Sequence, residues 1–289
     1  MGEPVDSKYV DELKKSNPQL KWSRTLYGSN ESIALRMDTK PFNDIRVRQA
    51  LNLAINKKEI IDSLFRGQAE LHTYPYPANF AEIYTPLEKM SPAARELYTY
   101  NPEKAKKLLA EAGYPNGFTF KAPIFNNNQI SLDLAAMVVA YLAKVGVKME
   151  LEPMEYASWL STMINKKHTS ALYFSNGHGT ILAGIRKNFL TGQGWNPHMM
   201  SDPHVDKVWN TVNEDPNLSD EKAYAELKKL IVFIIEQAPA IILPQRYVYT
   251  AWWPWVKNYY GEQRVGQQRS GPIWARVWID QELKKKMGY

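Results

Sequence analysis

The sequence predicts an α/β lobe, in which a mostly parallel sheet is flanked by helices. Residues 118–122 and 147–151 alternate apolar with polar side chains, as half-buried strands do, and residues 171–174 form a third, apolar strand. Between these strands, apolar residues recur at three- and four-residue steps, as on the buried face of a helix. Strand, helix, strand, helix, strand over about sixty residues implies right-handed crossovers and therefore parallel pairing.

The predicted helices begin and end at residues with clear capping chemistry. Asn101 precedes Pro102, which suits the first helical position, and Gly113 ends the same helix. Asn56 with Glu59 three residues later is typical of a capping box. Asp44, Ser131 and Ser219 are the predicted caps of three further helices. A strand is expected at residues 33–37, and residues 240–260 are strand-like and aromatic.

Composition excludes several classes of protein. There is no cysteine, so disulfides, thiolate metal sites and a cysteine nucleophile are excluded. The longest purely apolar run, at residues 134–143, is far below the roughly 20 residues of a membrane-spanning helix. The first residues lack a basic start and an apolar core, which indicates a cytoplasmic protein or one whose beginning has been removed. The net charge of +6 is dispersed, so nucleic-acid binding is not expected.

Four segments together resemble the family 5 extracellular solute-binding proteins, which include oligopeptide- and dipeptide-binding proteins. The similarity extends from about residue 30 to about residue 260, and the segments have the order and spacing of that family. The segments are PFNDIRVRQALNLAIN (41–56), YNPEKAKKLLAEAGYPNGF (100–118), GVKMELEPMEY (146–156) and QAPAIIL (237–243). Each segment read alone consists of caps, turns and core positions, so the motifs specify a fold and not a chemistry.

The resemblance implies a lobe of the type II periplasmic-binding-protein fold and a function in transport. Such a protein binds an extracytoplasmic solute between two lobes and delivers it to an ABC permease, in the periplasm or anchored at the cell surface. Family members have a comparable length of chain upstream, which builds most of the N-terminal lobe. We therefore expect residues 1–40 to be a tail of that missing lobe, residues 41–249 the C-terminal solute-binding lobe, and residues 250–289 the return segment.

Solute is expected beyond the carboxyl ends of the strands, where loops and helix amino termini converge. The first candidate loop contains Asn126 and Asn127, a second is residues 154–156, and a third is residues 175–179. The expected contacts in the third loop come from Ser175, Asn176, Gly177 and His178. The resemblance implies an Asp in that loop to hold a peptide ammonium group, but no Asp or Glu occurs from Tyr156 to Ser201.

The same span contains Lys166, Lys167, Arg186 and Lys187, so its formal charge is +4 with histidine neutral. One hypothesis is a neutral or anionic solute, with Arg186 among its contacts. The alternative is that these cations form a solvated face and that the other lobe supplies the acid. Trp195 lies in a glycine-rich loop and either stacks on the solute or anchors the loop.

No enzyme is expected, because the motifs of known catalytic and phosphate-binding loops are absent from the sequence. A hydrolytic enzyme that uses the same cleft is the alternative. His198, Asp202, His204 and Asp206 have the residue types of a metal site, but their spacing also suits a turn and a helix start, so neither a metal nor a cofactor is expected. Trp252, Trp253 and Trp255 are expected to pack against the missing lobe.

Overall fold

The computed structural model describes residues 4–126, 128–177, 180–262 and 271–289, apart from the side chain of Asn176. The strands are β1 (Lys21–Leu26), β2 (Ser29–Leu35), β3 (Ala69–Glu70), β4 (Thr119–Phe125), β5 (Lys148–Met154), β6 (Ala171–Gly177), β7 (Ala240–Ile242), β8 (Gln245–Trp252), β9 (Val256–Lys257) and β10 (Trp278–Ile279).

The helices alternate with these strands along much of the chain. They are α1 (Ser7–Ser16), α2 (Ile45–Leu53), α3 (Lys57–Ser63), α4 (Pro92–Glu96), α5 (Pro102–Glu111), α6 (Gln129–Ala143), α7 (Tyr156–Ile164), α8 (Ile181–Phe189), α9 (Pro203–Glu214), α10 (Asp220–Glu236), α11 (Gly271–Trp274) and α12 (Gln281–Lys286). A short 3-10 turn occupies Leu87–Lys89. None of the helices in the described ranges has both the length and the apolar character needed to cross a membrane.

The central strands differ from the prediction in their direction. β4 and β5 are parallel, in register from Thr119 with Lys148 to Phe125 with Met154. β2 lies between β6 and β7 and is antiparallel to both, and β4 packs beside β6. The mixed α/β architecture is therefore correct, but the prediction of a mostly parallel sheet is wrong for the described strands. The reason is that β2, which comes from far upstream in the sequence, pairs with β6 and sets the antiparallel direction.

Two clusters of buried apolar residues pack on the central strands. The first joins α2, α3, α5 and α6 to β4 and β5, and the second joins α4, α8, α9 and α10 to β7. The predicted caps at Asp44, Asn56, Asn101 and Ser219 are confirmed, since each side chain accepts a hydrogen bond from a backbone N–H of the first turn. The cap of α6 is Asn128 and not Ser131, which lies inside the first turn.

A second sheet stands next to the central strands and contains β1, β8 and β3 in that order, with both pairings antiparallel. Val5, just before α1, bridges to Tyr249 of β8. The chain passes between the two sheets at residues 27–28, which join β1 to β2, and at residues 243–244, which join β7 to β8. β8 crosses the predicted boundary at residue 250, and the division into a lobe and two flanking segments stays a prediction.

The tryptophans after β8 pack on residues of this chain. The rings of Trp253 and Trp255 stack with centroids 4.6 Å apart, and Tyr289 lies against both. Trp252 meets the edge of Tyr259 at 5.2 Å. These rings therefore have local partners, and a contact with a further lobe stays a prediction.

Lys57 supplies a testable pH dependence of stability. Its side chain is only 2% exposed, its Nζ donates to the carbonyl oxygens of Asn52 and Leu97 at 2.8 Å each, and burial lowers its pKa to about 7. Between pH 7 and 10 the unfolded chain keeps this proton while the folded chain loses it, so the free energy of unfolding should rise with pH, by at most about 1.4 kcal/mol per unit.

The Lys57→Met variant should show a smaller rise than the unmodified chain in urea unfolding at pH 7, 8 and 9. Lys58→Met is the matched control, because the neighbouring Lys58 side chain is 82% exposed, and this variant should keep the rise. Equal slopes for both variants would show that Lys57 does not titrate on unfolding in this range.

Candidate functional site

A cavity of about 730 Å³ lies where the two sheets meet. Its wall combines residues before and at the start of α1, the end of α3, the start of α6, single positions on β2, β4 and β6, and three positions on β8. The main contributors are residues 4–8, Tyr27, Glu31, residues 63–66, Gln68, Phe125, residues 128–131, Asp133, Ser175 and residues 246–248. The start of α6 therefore opens into this space, as the general rule for ligand sites in open α/β sheets predicts.

Glu31 and Arg246 are the most buried charged residues of this wall. Their side chains are 6% and 11% exposed, and Glu31 Oε2 lies 3.8 Å from Arg246 Nη1. This distance allows an ion pair but exceeds the length of a hydrogen bond. Arg246 Nη1 is fully buried and has no hydrogen-bond partner among the described residues. The acid and the base attract each other, yet their hydrogen-bonding capacity is not fully used.

Neighbouring groups hold this pair in position. Ser131 Oγ, in the first turn of α6, donates to Glu31 Oε1. The guanidinium of Arg246 lies 4.1 Å from the centre of the Tyr27 ring, a cation–π contact. Tyr173 is a further neighbour of Glu31. Burial and the Glu31 carboxylate raise the pKa of Tyr173 far above the usual range, so the tyrosine hydroxyl stays protonated.

The predicted site residues lie in different places. Ser175 lines the cavity, and its Oγ lies 2.7 Å from Ser29 Oγ. In the antiparallel pairing of β6 with β2, Asn176 stands opposite Asn30 and Gly177 opposite Ser29, while Asn126 is exposed and donates its backbone N–H to Met154 O at 3.1 Å. Asn127 and His178 lie outside the described residues. Arg186 and Trp195 are described but are not part of the cavity wall.

Trp195 and the cations around it have structural contacts. Trp195 packs on the buried cluster that contains Trp159 and Phe174, and Lys187 Nζ lies 4.7 Å from its ring centre. Lys166 Nζ donates to three carbonyl oxygens of the same loop, at 2.8–3.0 Å. Burial lowers the pKa of both lysines. These contacts favour the loop-anchor interpretation of Trp195 over stacking on a solute.

The span from Tyr156 to Ser201 has no acid of its own, but the structure places a carboxylate beside it, and the hypothesis of a neutral or anionic solute stays a prediction. Glu31 stands directly opposite Ser175 in the pairing of β2 with β6, so a neighbouring strand supplies the acid that the loop lacks. Among the described residues of the cavity wall, three acids face three bases: Asp6, Glu31 and Asp133, with Lys8, Arg66 and Arg246. The wall as a whole therefore has no excess of either charge.

Three of the four residues with metal-ligand side chains have structural contacts. His198 is buried, its Nδ1 lies 2.8 Å from Pro239 O, and burial lowers its pKa to about 3. Asp202 caps α9, and Asp206 accepts from the backbone and the hydroxyl of Thr191. Within the described ranges no three histidine or acidic side chains are grouped so that they could hold a metal ion.

Sequence reasoning missed Glu31, Ser131 and Arg246. Glu31 lies beside the apolar residues of β2, and a charged residue there is equally typical of the exposed start of a strand. Its position is therefore a weak signal of a binding residue. Arg246 lies in an aromatic strand far along the chain, and only the meeting of the two sheets brings it to Glu31. For Ser131 the sequence predicts only a cap, which the structure assigns to Asn128.

The sequence profile of the family described as "Bacterial extracellular solute-binding proteins, family 5 Middle" matches residues 4–182. The chain belongs to this family. Heme-binding protein A from Haemophilus influenzae is 28% identical over 232 residues, which cover 78% of this chain and 41% of that protein. Glutathione-binding protein GsiB from Pectobacterium atrosepticum is 34% identical over 149 residues, covering 50% of this chain and 27% of that protein.

A solved structure of a periplasmic binding protein shares the fold. The ABC transporter-associated periplasmic binding protein DppA from Helicobacter pylori, in complex with the peptide STSA, superimposes with a TM-score of 0.76 at 21% identity, covering 94% of this chain and 51% of that one. The predicted type II lobe is therefore confirmed. The chain spans less than half the length of the two curated relatives and about half of that structure.

Proposed function

We propose that this chain forms part of the solute-binding component of an ABC importer, which acts outside the cytoplasmic membrane and delivers its solute to a membrane permease. Membership of family 5 supports the general role. The observation that supports the location is the cavity between the two sheets, where Glu31, Ser131, Ser175 and Arg246 converge. Small-molecule sites typically have a few polar groups at fixed positions in a wall that also contains apolar groups.

The solute is expected to be small and polar, or to have a polar end. A volume of about 730 Å³ lies within the usual range of ligand pockets, roughly 300–1,000 Å³. Relatives are named for heme, glutathione and peptides, so these three classes are the first to test. The other half of the cleft would come from the second lobe that the family resemblance implies, whose closure around the solute would signal to the permease.

A hydrolytic enzyme is a weaker alternative. The relatives compared above are named as binding proteins. In the cavity wall Ser131 meets a carboxylate, but no histidine is among the described lining residues, so a serine nucleophile would lack the usual base. We therefore propose that the cleft binds its solute without changing it.

The test is thermal unfolding of the chain with a panel of dipeptides, tripeptides, glutathione and heme. A solute that binds the folded state raises Tm, by mass action. Ser175→Phe, which places a ring in the cavity, should reduce the affinity for any such solute by at least about tenfold. Thr169→Phe, at an exposed position remote from the cavity wall, should leave it unchanged. Equal affinities of the two variants would place the binding elsewhere.

A further inference from the structure

The Glu31–Arg246 pair has two features that a purely structural ion pair does not need. It lines the cavity between the two sheets, and its charged atoms are 3.8 Å apart, with Arg246 Nη1 buried and without a hydrogen-bond acceptor among the described residues. A buried donor that lacks an acceptor costs free energy in the empty site. The Arg246 side chain as a whole is 11% exposed and lines the cavity, so a solute there can contact this guanidinium.

The pair also presents opposite charges next to each other at one place in the wall. A solute with only an anionic group would be attracted by Arg246 but repelled by Glu31. A purely cationic solute would be attracted by Glu31 but repelled by Arg246. A solute that has a cation and an anion on neighbouring atoms matches both groups at once. The balanced charges on the rest of the wall add no preference for either sign.

We propose that the site recognises an α-amino-acid head, in which the ammonium and the carboxylate are bonded to the same carbon. Glu31 takes the ammonium, and Arg246 takes the carboxylate. This inference rests on the proposed function, and it narrows the solute class to free amino acids and to γ-linked peptides, which keep such a head. An ordinary α-linked peptide separates its terminal charges by at least one peptide unit, about 3.8 Å between consecutive Cα atoms, and fits the pair less well.

The contacts of each group hold it in place for this task. Ser131 Oγ donates a hydrogen bond to Glu31 Oε1, and the other carboxylate oxygen, Oε2, faces Arg246. The Tyr27 ring supports one face of the guanidinium, which leaves its edge for the planar contact that carboxylates make with arginine.

A pair of isomers tests the proposal. γ-Glu-Ala and α-Glu-Ala have the same atoms and the same net charge, but only the γ-linked isomer keeps ammonium and carboxylate on one carbon. Titration of the chain by calorimetry, together with the solute panel described above, should show that γ-Glu-Ala binds at least about tenfold more tightly than α-Glu-Ala.

The double variant Glu31→Gln/Arg246→Gln shows whether the pair causes that preference. Removal of one charge alone would leave the other buried and unpaired, whereas removal of both leaves no such charge, so the double variant is the one expected to fold. It should bind the two isomers equally. Glu226→Gln/Lys229→Gln removes one acid and one base from an exposed ion pair of α10 outside the cavity wall and should keep the preference.

The outcomes separate this inference from the proposed function. A preference for γ-Glu-Ala that the Glu31/Arg246 double variant loses and the control keeps would support the inference. Equal binding of the isomers, tighter binding of α-Glu-Ala, or binding of other panel solutes with neither isomer would overturn it and leave the proposed function standing. If no solute of the panel binds, both are overturned.

Discussion

Replacement of Asn52 by alanine is expected to lower the free energy of unfolding by about 3 kcal/mol, because it leaves several buried backbone groups without partners. Asn52 is 0% exposed and joins α2 to β7. Its Nδ2 donates to Ala240 O at 2.8 Å and to Arg48 O at 3.1 Å, and its Oδ1 accepts from the N–H of Ile242 at 2.9 Å. One side chain thereby fixes the end of the central sheet to the helix that packs on it.

Asn165→Ala is the control for this prediction. Asn165 is exposed and its Nδ2 donates to Ser161 O at the end of α7, so its loss should cost no more than about 0.5 kcal/mol. Urea unfolding followed by tryptophan fluorescence and by circular dichroism gives both values. A cost for Asn52→Ala that does not exceed that of Asn165→Ala would contradict the role assigned to Asn52.

Replacement of Gly117 by alanine is expected to destabilise the protein by roughly 3 kcal/mol or more, from backbone strain plus a clash that cannot relax easily. Gly117 has φ +73°, and a Cβ there would lie 1.9 Å from the carbonyl oxygen of Gly146. Both glycines precede the parallel strands β4 and β5, whose pairing begins with the hydrogen bond from Lys148 N to Phe118 O at 2.8 Å. A shift of either backbone would disturb that pairing.

Gly113→Ala separates the two contributions. Gly113 also has a positive φ, +93°, but a Cβ there meets no atom within 4 Å, so only the backbone strain of about 1–2 kcal/mol remains. Urea unfolding of the two variants should therefore differ by at least about 1 kcal/mol. Equal costs would mean that the chain around Gly146 moves aside without loss.

Local features of this fold could be predicted from the sequence, whereas pairings between distant segments could not. The caps at Asp44, Asn56, Asn101 and Ser219 depend on residues within one turn, so short sequence patterns determine them. The direction of β6 depends on β2, which lies far upstream, and no local pattern encodes that contact. The family motifs could be recognised from the sequence for the same reason. They contain turns, such as the one at Gly117, whose backbone conformation few residues can adopt.

The candidate site shows the same division. The position of Ser175 in the cavity wall could be predicted because ligand sites lie at the carboxyl ends of sheet strands, and Ser175 is in the last part of β6. Glu31 and Arg246 could not, since their proximity depends on how the two sheets meet. The span from Tyr156 to Ser201 contains no acid, but in a sheet the neighbouring strand supplies side chains to the same face, and Glu31 lies directly opposite Ser175.

A crystal structure of the chain with the tightest-binding solute of the panel tests the central claim most directly. We expect the solute in the cavity between the two sheets, with hydrogen bonds to Glu31 and Arg246 and with Ser175 in contact. A solute bound outside this cavity, for example stacked on Trp195, with the Glu31–Arg246 pair unchanged, would contradict the site proposed for this protein.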